Sequence, residues 1–211
     1  MPKPSGKRKP EKLKEETPPS ESQCLALLEK YDAQPPVVAH SKVVAAIAFA
    51  LARKLEKKGV KVDARLARSG GLLHDIAKLE KGKKGEWKPM LGHAKAGAEI
   101  LRKEGLPREA RIAETHVAEP EEAKPKTWEE KLVLYADKRV EWNKIVSLRE
   151  RFKALGRRYA HLEGAVERIN STRPRLEGLE KKIFSKIGRR PEEMESIISE
   201  ETEKRKEEGL K

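Results

Sequence analysis

Apolar positions recur at helical spacing along most of this chain. Val44, Ile47 and Leu51 stand at i+4, i+7 and i+11 from His40, one face of a helix predicted over residues 37–57. Pro35-Pro36 stops the chain ahead of it and sets it apart from a shorter helix at 22–30. Gly59 breaks the pattern, and Asp63 caps a third helix predicted over 64–79. A loop is expected at 81–85. The spacing resumes at His93, stops at Gly105 and Pro107, and returns over 108–116 and 128–156, with 118–126 as a connector carrying Pro120 and Pro125. Beyond Gly156 three charged helices are predicted, over 159–169, 176–187 and 191–209. No segment sustains the alternation of a half-buried strand, so the predicted fold class is all-α, without a sheet.

The informative positions are those where a titratable residue interrupts an apolar face. His40 opens the stripe of its helix and points inward with it. His74 and Asp75 follow the apolar run of Gly70-Gly71-Leu72-Leu73, and Asp137 closes Leu132-Val133-Leu134-Tyr135-Ala136. Burying either kind of group unpaired costs several kcal/mol. A divalent metal removes that cost, since it satisfies imidazole and carboxylate together and keeps the carboxylate ionised. His93 and His116 complete an ordered series, His40, His74-Asp75, His93, His116, Asp137, and nitrogen with oxygen donors is what such a metal needs. His161 lies past the series among Arg158, Tyr159 and Glu163, and reads as a surface residue.

Four segments carry a family resemblance: Val38-Ala39-His40-Ser41, Gly71-Leu72-Leu73-His74-Asp75-Ile76-Ala77-Lys78, His93-Ala94-Lys95-Ala96-Gly97-Ala98-Glu99-Ile100-Leu101, and Tyr135-Ala136-Asp137-Lys138. Together they resemble the HD-domain metal-dependent phosphohydrolases, over about residues 25–148. The resemblance implies an HD-type helical bundle with additional C-terminal helices. It implies that His40, His74, Asp75 and Asp137 hold a first metal, that Asp75 bridges to a second, and that His93 and His116 match the two further histidines of the dinuclear subgroup. Two divalent ions drawn from Mn, Fe, Mg, Ni or Co follow as the expected cofactors. Ala77 stands where the subgroup named for His-Asp-Ile-Gly has glycine.

The chemistry of the residues agrees. Paired cations can acidify a water and neutralise a phosphate, and no serine or cysteine nucleophile with a paired base stands out. Lys78, at i+4 from His74 and i+3 from Asp75, shares their face on a helix and either reaches a phosphoryl oxygen or ends the helix as a solvated lysine. Asp75 and Lys78 are the expected catalytic pair. Lys138 and Arg139, beside Asp137, could attract anionic substrate but are expected at the surface.

A chain of 211 residues builds one sizeable core with an appendage. The expected division is a disordered basic tail at 1–21, an HD unit at 22–156 and a charged helical extension at 157–211. In that extension Val166, Ile169, Leu176, Leu179, Ile183 and Ile187 form a thin stripe that either docks on the bundle or binds a partner. The net charge of +13 and pI near 9.7 steer phosphate-bearing ligands and allow weak nucleic-acid contact, but the aromatic residues are scattered rather than organised for stacking. The lone Cys24, an apolar stretch of only ten residues at 43–52, and a tail with no apolar core fit a cytoplasmic protein without a membrane segment or disulfide. Scarce Gln and Asn beside abundant Lys, Glu and Arg resemble proteins of hot environments. Two functions follow: hydrolysis of a phosphate ester, phosphoanhydride or nucleotide by metal-activated water, or a noncatalytic nucleotide-binding module that signals through its C-terminal helices.

Overall fold

A computed structural model describes residues 17–81, 86–89, 92–117 and 124–209. Most of the basic tail, the loop at 82–85 and the centre of the connector at 118–123 lie outside the described residues. Among those described, the chain is all-α apart from two small hairpins.

Helix α1 (Glu21–Lys30) is started by a capping box in which Ser20 and Gln23 satisfy each other's backbone N–H groups. The two prolines predicted to stop the chain instead form the first turn of α2 (Pro35–Glu56), where a missing N–H costs nothing. With 22 residues, α2 is long and apolar enough to cross a bilayer by length and composition, more than the stretch 43–52 suggested; half of its apolar window is buried inside the bundle, where it serves as the central helix. Asp63 caps α3 (Ala64–Leu73), accepting from the Leu66 N–H at 3.0 Å. That helix ends six residues earlier than predicted, and residues 74–77 form turns before strand β1 (Leu79–Lys81) pairs antiparallel with β2 (Trp87–Pro89).

The glycine pair that precedes His74 sets how deep α3 sits. A Cβ at Gly71 would stand 2.7 Å from the Cα of Ala45, and one at Gly70 would stand 2.4 Å from Ile112 Cδ1. The backbones of α2 and α3 therefore touch at a spacing only glycine permits.

Helices α4 (His93–Lys103) and α5 (Pro107–Thr115) pack on each other, and α5 with α6 (Trp128–Lys138) closes the bundle around α3. The long helix predicted over 128–156 is in fact broken. After α6 the chain makes a tight hairpin, β3 (Val140–Glu141) against β4 (Lys144–Ile145), and then α7 (Leu148–Tyr159), started by a second capping box of Ser147 and Glu150. Helical spacing on both sides hid a turn with neither glycine nor proline in it.

Helix α8 (Ala165–Ile187) merges two predicted segments into one helix with Pro174 inside, and α9 (Met194–Glu207) follows a 3₁₀ turn at Pro191–Glu193. The C-terminal stripe docks: Leu176, Ile183, Phe184, Ile187, Met194 and Ile197 are buried in the same apolar cluster as Val44, Ile47 and Leu51 of α2. Buried Glu201 fastens α9 further, within ion-pair distance of Arg53 and Lys54 of α2 and of Lys57 just past its end.

Candidate metal centre

The six residues singled out from the sequence come from five separate elements and meet in one place. His74 and His116 share one design. Each follows a helix end, α3 or α5, and turns its imidazole back so that Nδ1–H donates to the carbonyl three residues earlier, Gly71 at 2.8 Å and Ala113 at 2.5 Å. A last-turn carbonyl has no helical N–H to accept from, so each histidine satisfies the helix end while fixing its own tautomer. His40, on α2, is fixed from outside: its Nδ1–H donates at 2.8 Å to the carbonyl of Trp142, at the tip of the β3–β4 hairpin. In all three, the nitrogen left for a cation is Nε2.

Those nitrogens converge on two buried carboxylates. His40 Nε2 lies 3.1 Å from Asp137 Oδ1, with His74 Nε2 3.9 Å from the same oxygen. Asp75 stands between two groups of imidazoles. Its Oδ2 faces His74 at 3.4 Å and His40 at 3.9 Å, while its Oδ1 faces His116 at 3.2 Å and His93 at 3.3 Å. The arrangement leaves acceptors facing acceptors: His116 Nε2 is 3.2 Å from Asp75 Oδ1 and 3.2 Å from His93 Nε2, and buried His74 Nε2 has no hydrogen-bond partner. Such a knot needs a cation or extra protons. The donors of His40, His74 and Asp137, and again those of His74, Asp75 and His116, lie within 4.8 Å of one another, so either set could hold a metal ion.

Charge is held in the centre by its surroundings. Burial works against ionised Asp75, but His74 and Lys78 outweigh it and hold the carboxyl well below the usual range. Burial opposes ionised Asp137 as well, and Lys138 and His40 overcome it in the same way. Burial also disfavours charged His74, yet Asp75 and Asp137 push its pKa up. At His116 burial wins, and the imidazole is pulled down to about 4.

Two lysines attend the carboxylates. Lys78 Nζ is 3.3 Å from both oxygens of Asp75 and 3.3 Å from His93 Nε2, with 38% of its side chain exposed. Lys138 donates to Asp137 Oδ2 and is only 14% exposed. The expectation of a surface role for Lys138 and Arg139 is thus corrected. Arg139 is buried, bonded to Tyr135, Glu180 and the carbonyls of Val146 and Pro191, and ties α6 to the C-terminal helices. A charged residue next to a ligand on a helix lies about 100° around it, which reads as exposed until a further layer of helices covers that face. The sequence reading also lacked Trp142, whose part in the centre is played by a backbone carbonyl; no side-chain pattern announces that. His161 is exposed, as predicted.

The chain is 33% identical over 146 residues to a tRNA (cytidine(56)-2′-O)-methyltransferase of Picrophilus torridus, covering 63% of this chain and 39% of that protein. It is 33% identical over 169 residues to the enzyme of the same name from Thermoplasma volcanium, covering 72% of this chain and 45% of that one. A Methanocaldococcus jannaschii protein named "Uncharacterized protein MJ0778" is 33% identical over 147 residues, 63% of this chain and 83% of its own length. The matched part thus spans less than half of either methyltransferase. No solved structure matches the chain. The family model of the HD domain matches residues 37–142, half of the chain, a span that holds all six converging residues: the chain belongs to the HD domain family.

Proposed function

We propose that this protein is a metal-dependent phosphohydrolase that cleaves a phosphate ester or phosphoanhydride of a nucleotide-like substrate. The observation that carries the reading is Asp75, a buried carboxylate whose two oxygens face two different groups of imidazole nitrogens. His40, His74 and Asp137 would hold one divalent ion, His93 and His116 a second, with Asp75 shared; imidazole with carboxylate suits Mn, Fe, Ni or Co better than Mg. Bound there, such ions supply Lewis acidity, making a water acidic enough to attack near neutral pH and offsetting charge on the phosphoryl group.

The remaining work belongs to the chain. The carbonyls of Gly71, Ala113 and Trp142 hold three imidazoles in the tautomer that leaves Nε2 free. Lys138 occupies Asp137 Oδ2 and leaves Oδ1 to face His40. Lys78, half-exposed at the rim, can leave Asp75 for a phosphoryl oxygen and stabilise the charge that develops there. The test is metal analysis of the purified protein joined to a phosphate-release screen of nucleoside mono-, di- and polyphosphates, dinucleotides and cyclic nucleotides. Two ions per chain with turnover of one class supports the reading; full occupancy with no turnover rejects it.

A second reading is favoured by the relatives' names. Two matched proteins are named for modification of tRNA, so the HD unit would act as a noncatalytic module that binds nucleotides or RNA. Tight binding of a single-stranded or transfer RNA without phosphate release would select it.

A further inference from the structure

Trp142 is 69% exposed, the most exposed of the large hydrophobic side chains among the described residues, and its backbone φ is +59°. That is a costly conformation for a bulky residue, at a position in a two-residue hairpin connection where glycine is the usual occupant. Glycine there would offer the same carbonyl to His40, so the contact explains the backbone and not the side chain. Burial does not explain the indole either. What surrounds it is cationic. The Arg158 guanidinium stacks over the ring, 5.4 Å from its centroid, and Glu141 anchors both Arg158 and Arg151 beside it. Residues 141–159 carry six lysines and arginines against two glutamates.

We infer that Trp142 is a base-stacking platform that admits the nucleobase of a phosphate-bearing nucleotide beside the metal centre. The inference deepens the phosphohydrolase reading and rests on it for the destination of the phosphate. Only the imidazole of His40 separates the Trp142 carbonyl from the nitrogen that faces Asp137. Trp142 is thus joined to the centre through its backbone, and a base on its indole brings a phosphate to this face of the molecule, with Arg158 contributing charge and a second planar surface. The occupant is anionic. A second copy of the chain, presenting the same excess of cations, would be repelled from this face.

The ligand chemistry has two sources, a free nucleotide or the end of a single-stranded RNA, and the experiment separates them. Binding of adenosine 5′-phosphate, ribose 5-phosphate and a short single-stranded oligoadenylate to the metal-loaded full chain is measured by equilibrium dialysis and by tryptophan fluorescence. Trp142→Gly removes the ring at a φ glycine accepts freely, so the fold and the carbonyl are retained, and metal analysis with circular dichroism checks both. Trp142→Phe keeps a ring.

The unmodified chain should bind adenosine 5′-phosphate roughly 10-fold tighter than ribose 5-phosphate, and quench as it does so. Trp142→Gly should abolish that preference with metal content unchanged, and Trp142→Phe should restore most of it. Oligoadenylate binding well above the mononucleotide, with the excess lost in Trp142→Gly, assigns the platform to RNA; equal binding, or an excess that Trp142→Gly leaves unchanged and high salt removes, assigns it to free nucleotides. Equal affinity for the base-bearing and base-free phosphates overturns the inference, as does Trp142→Gly without effect, or a concentration-dependent dimer that only Trp142→Gly dissolves. Base-dependent binding with no hydrolysis of any probe upholds the platform and strikes the phosphohydrolase reading alone.

Discussion

On one side of Asp75 stand His40, His74 and Asp137; on the other stand His93 and His116. The two groups differ in how they are held and in what occupies them. In the first, both imidazoles are fixed through Nδ1 to a carbonyl, and Lys138 takes the far oxygen of Asp137, leaving the near one facing the histidines. In the second, the ammonium of Lys78 contacts both oxygens of Asp75 and also His93. The first group can accept a cation as it stands. The second must first release Lys78, which its partial exposure permits. If two ions bind as proposed, the difference implies two affinities rather than one, with the first group filling first.

The change that should break both groups is Asp75→Ala. It removes the only carboxylate among the described residues that faces all four imidazoles, so both proposed ions should be lost or displaced by elemental analysis. Hydrolysis should fall by at least several hundredfold, about 4 kcal/mol of barrier. Retention of two ions would mean that Asp75 is not shared.

His93→Ala combined with His116→Ala should break the second group alone. Both residues contact Asp75 Oδ1 and neither contacts Asp137. Stoichiometry should drop from two ions to one, with the tighter affinity preserved in calorimetric titration. Two ions remaining would remove the distinction between the groups.

Lys78→Ala sharpens the comparison instead of breaking it. Removing the ammonium that competes for Asp75 should tighten the weaker affinity by roughly 10-fold, since a charge contact near a protein surface is worth about 1–4 kcal/mol. The same substitution should slow hydrolysis on the order of 10- to 1000-fold, because the cation that meets the phosphoryl oxygen is gone. Metal binding and turnover should thus move in opposite directions, and a parallel change would show that Lys78 only shapes the pocket.

How much of this was legible in the sequence differs between the groups for a physical reason. His40, His74, Asp75 and Asp137 were visible because a histidine or aspartate inside an apolar run must be satisfied by something, and His93 and His116 through the ordered series and the family resemblance. What holds them was not. Gly71 and Ala113 act through carbonyls, which every residue has, and Trp142 acts through a turn that the helical spacing of 128–156 concealed. The docking of the C-terminal stripe was left open between bundle and partner, since apolar periodicity shows that a face is covered without showing by what. Arg139 was misplaced because its burial depends on α8 and the turn at Pro191–Glu193 returning to it, a long-range event that local pattern does not encode, and Lys138 because it turns inward to Asp137 and the His116 carbonyl.

The smallest expected effect tests how the two groups are propped from behind. Gly70 and Gly71 are adjacent on α3, one facing α5 and the other α2. A Cβ at position 71 meets backbone, the Cα of Ala45 at 2.7 Å, and backbone cannot rotate away. Gly71→Ala should therefore lift α3 off α2, shifting the carbonyl that fixes His74 and loosening the first group. A cost of about 1–3 kcal/mol is expected, a fall of several degrees in Tm, with weaker binding of the tighter ion. A Cβ at position 70 meets the terminal carbon of Ile112 at 2.4 Å, and a side-chain end can turn aside. Gly70→Ala should cost less, and whatever disturbance it causes should pass through α5 to His116 and the weaker ion. Thermal melts of both variants with and without metal, together with two-site titrations, read the result. If the two alanines weaken the same ion equally, α3 moves as a rigid unit, and the independence of the two groups is lost.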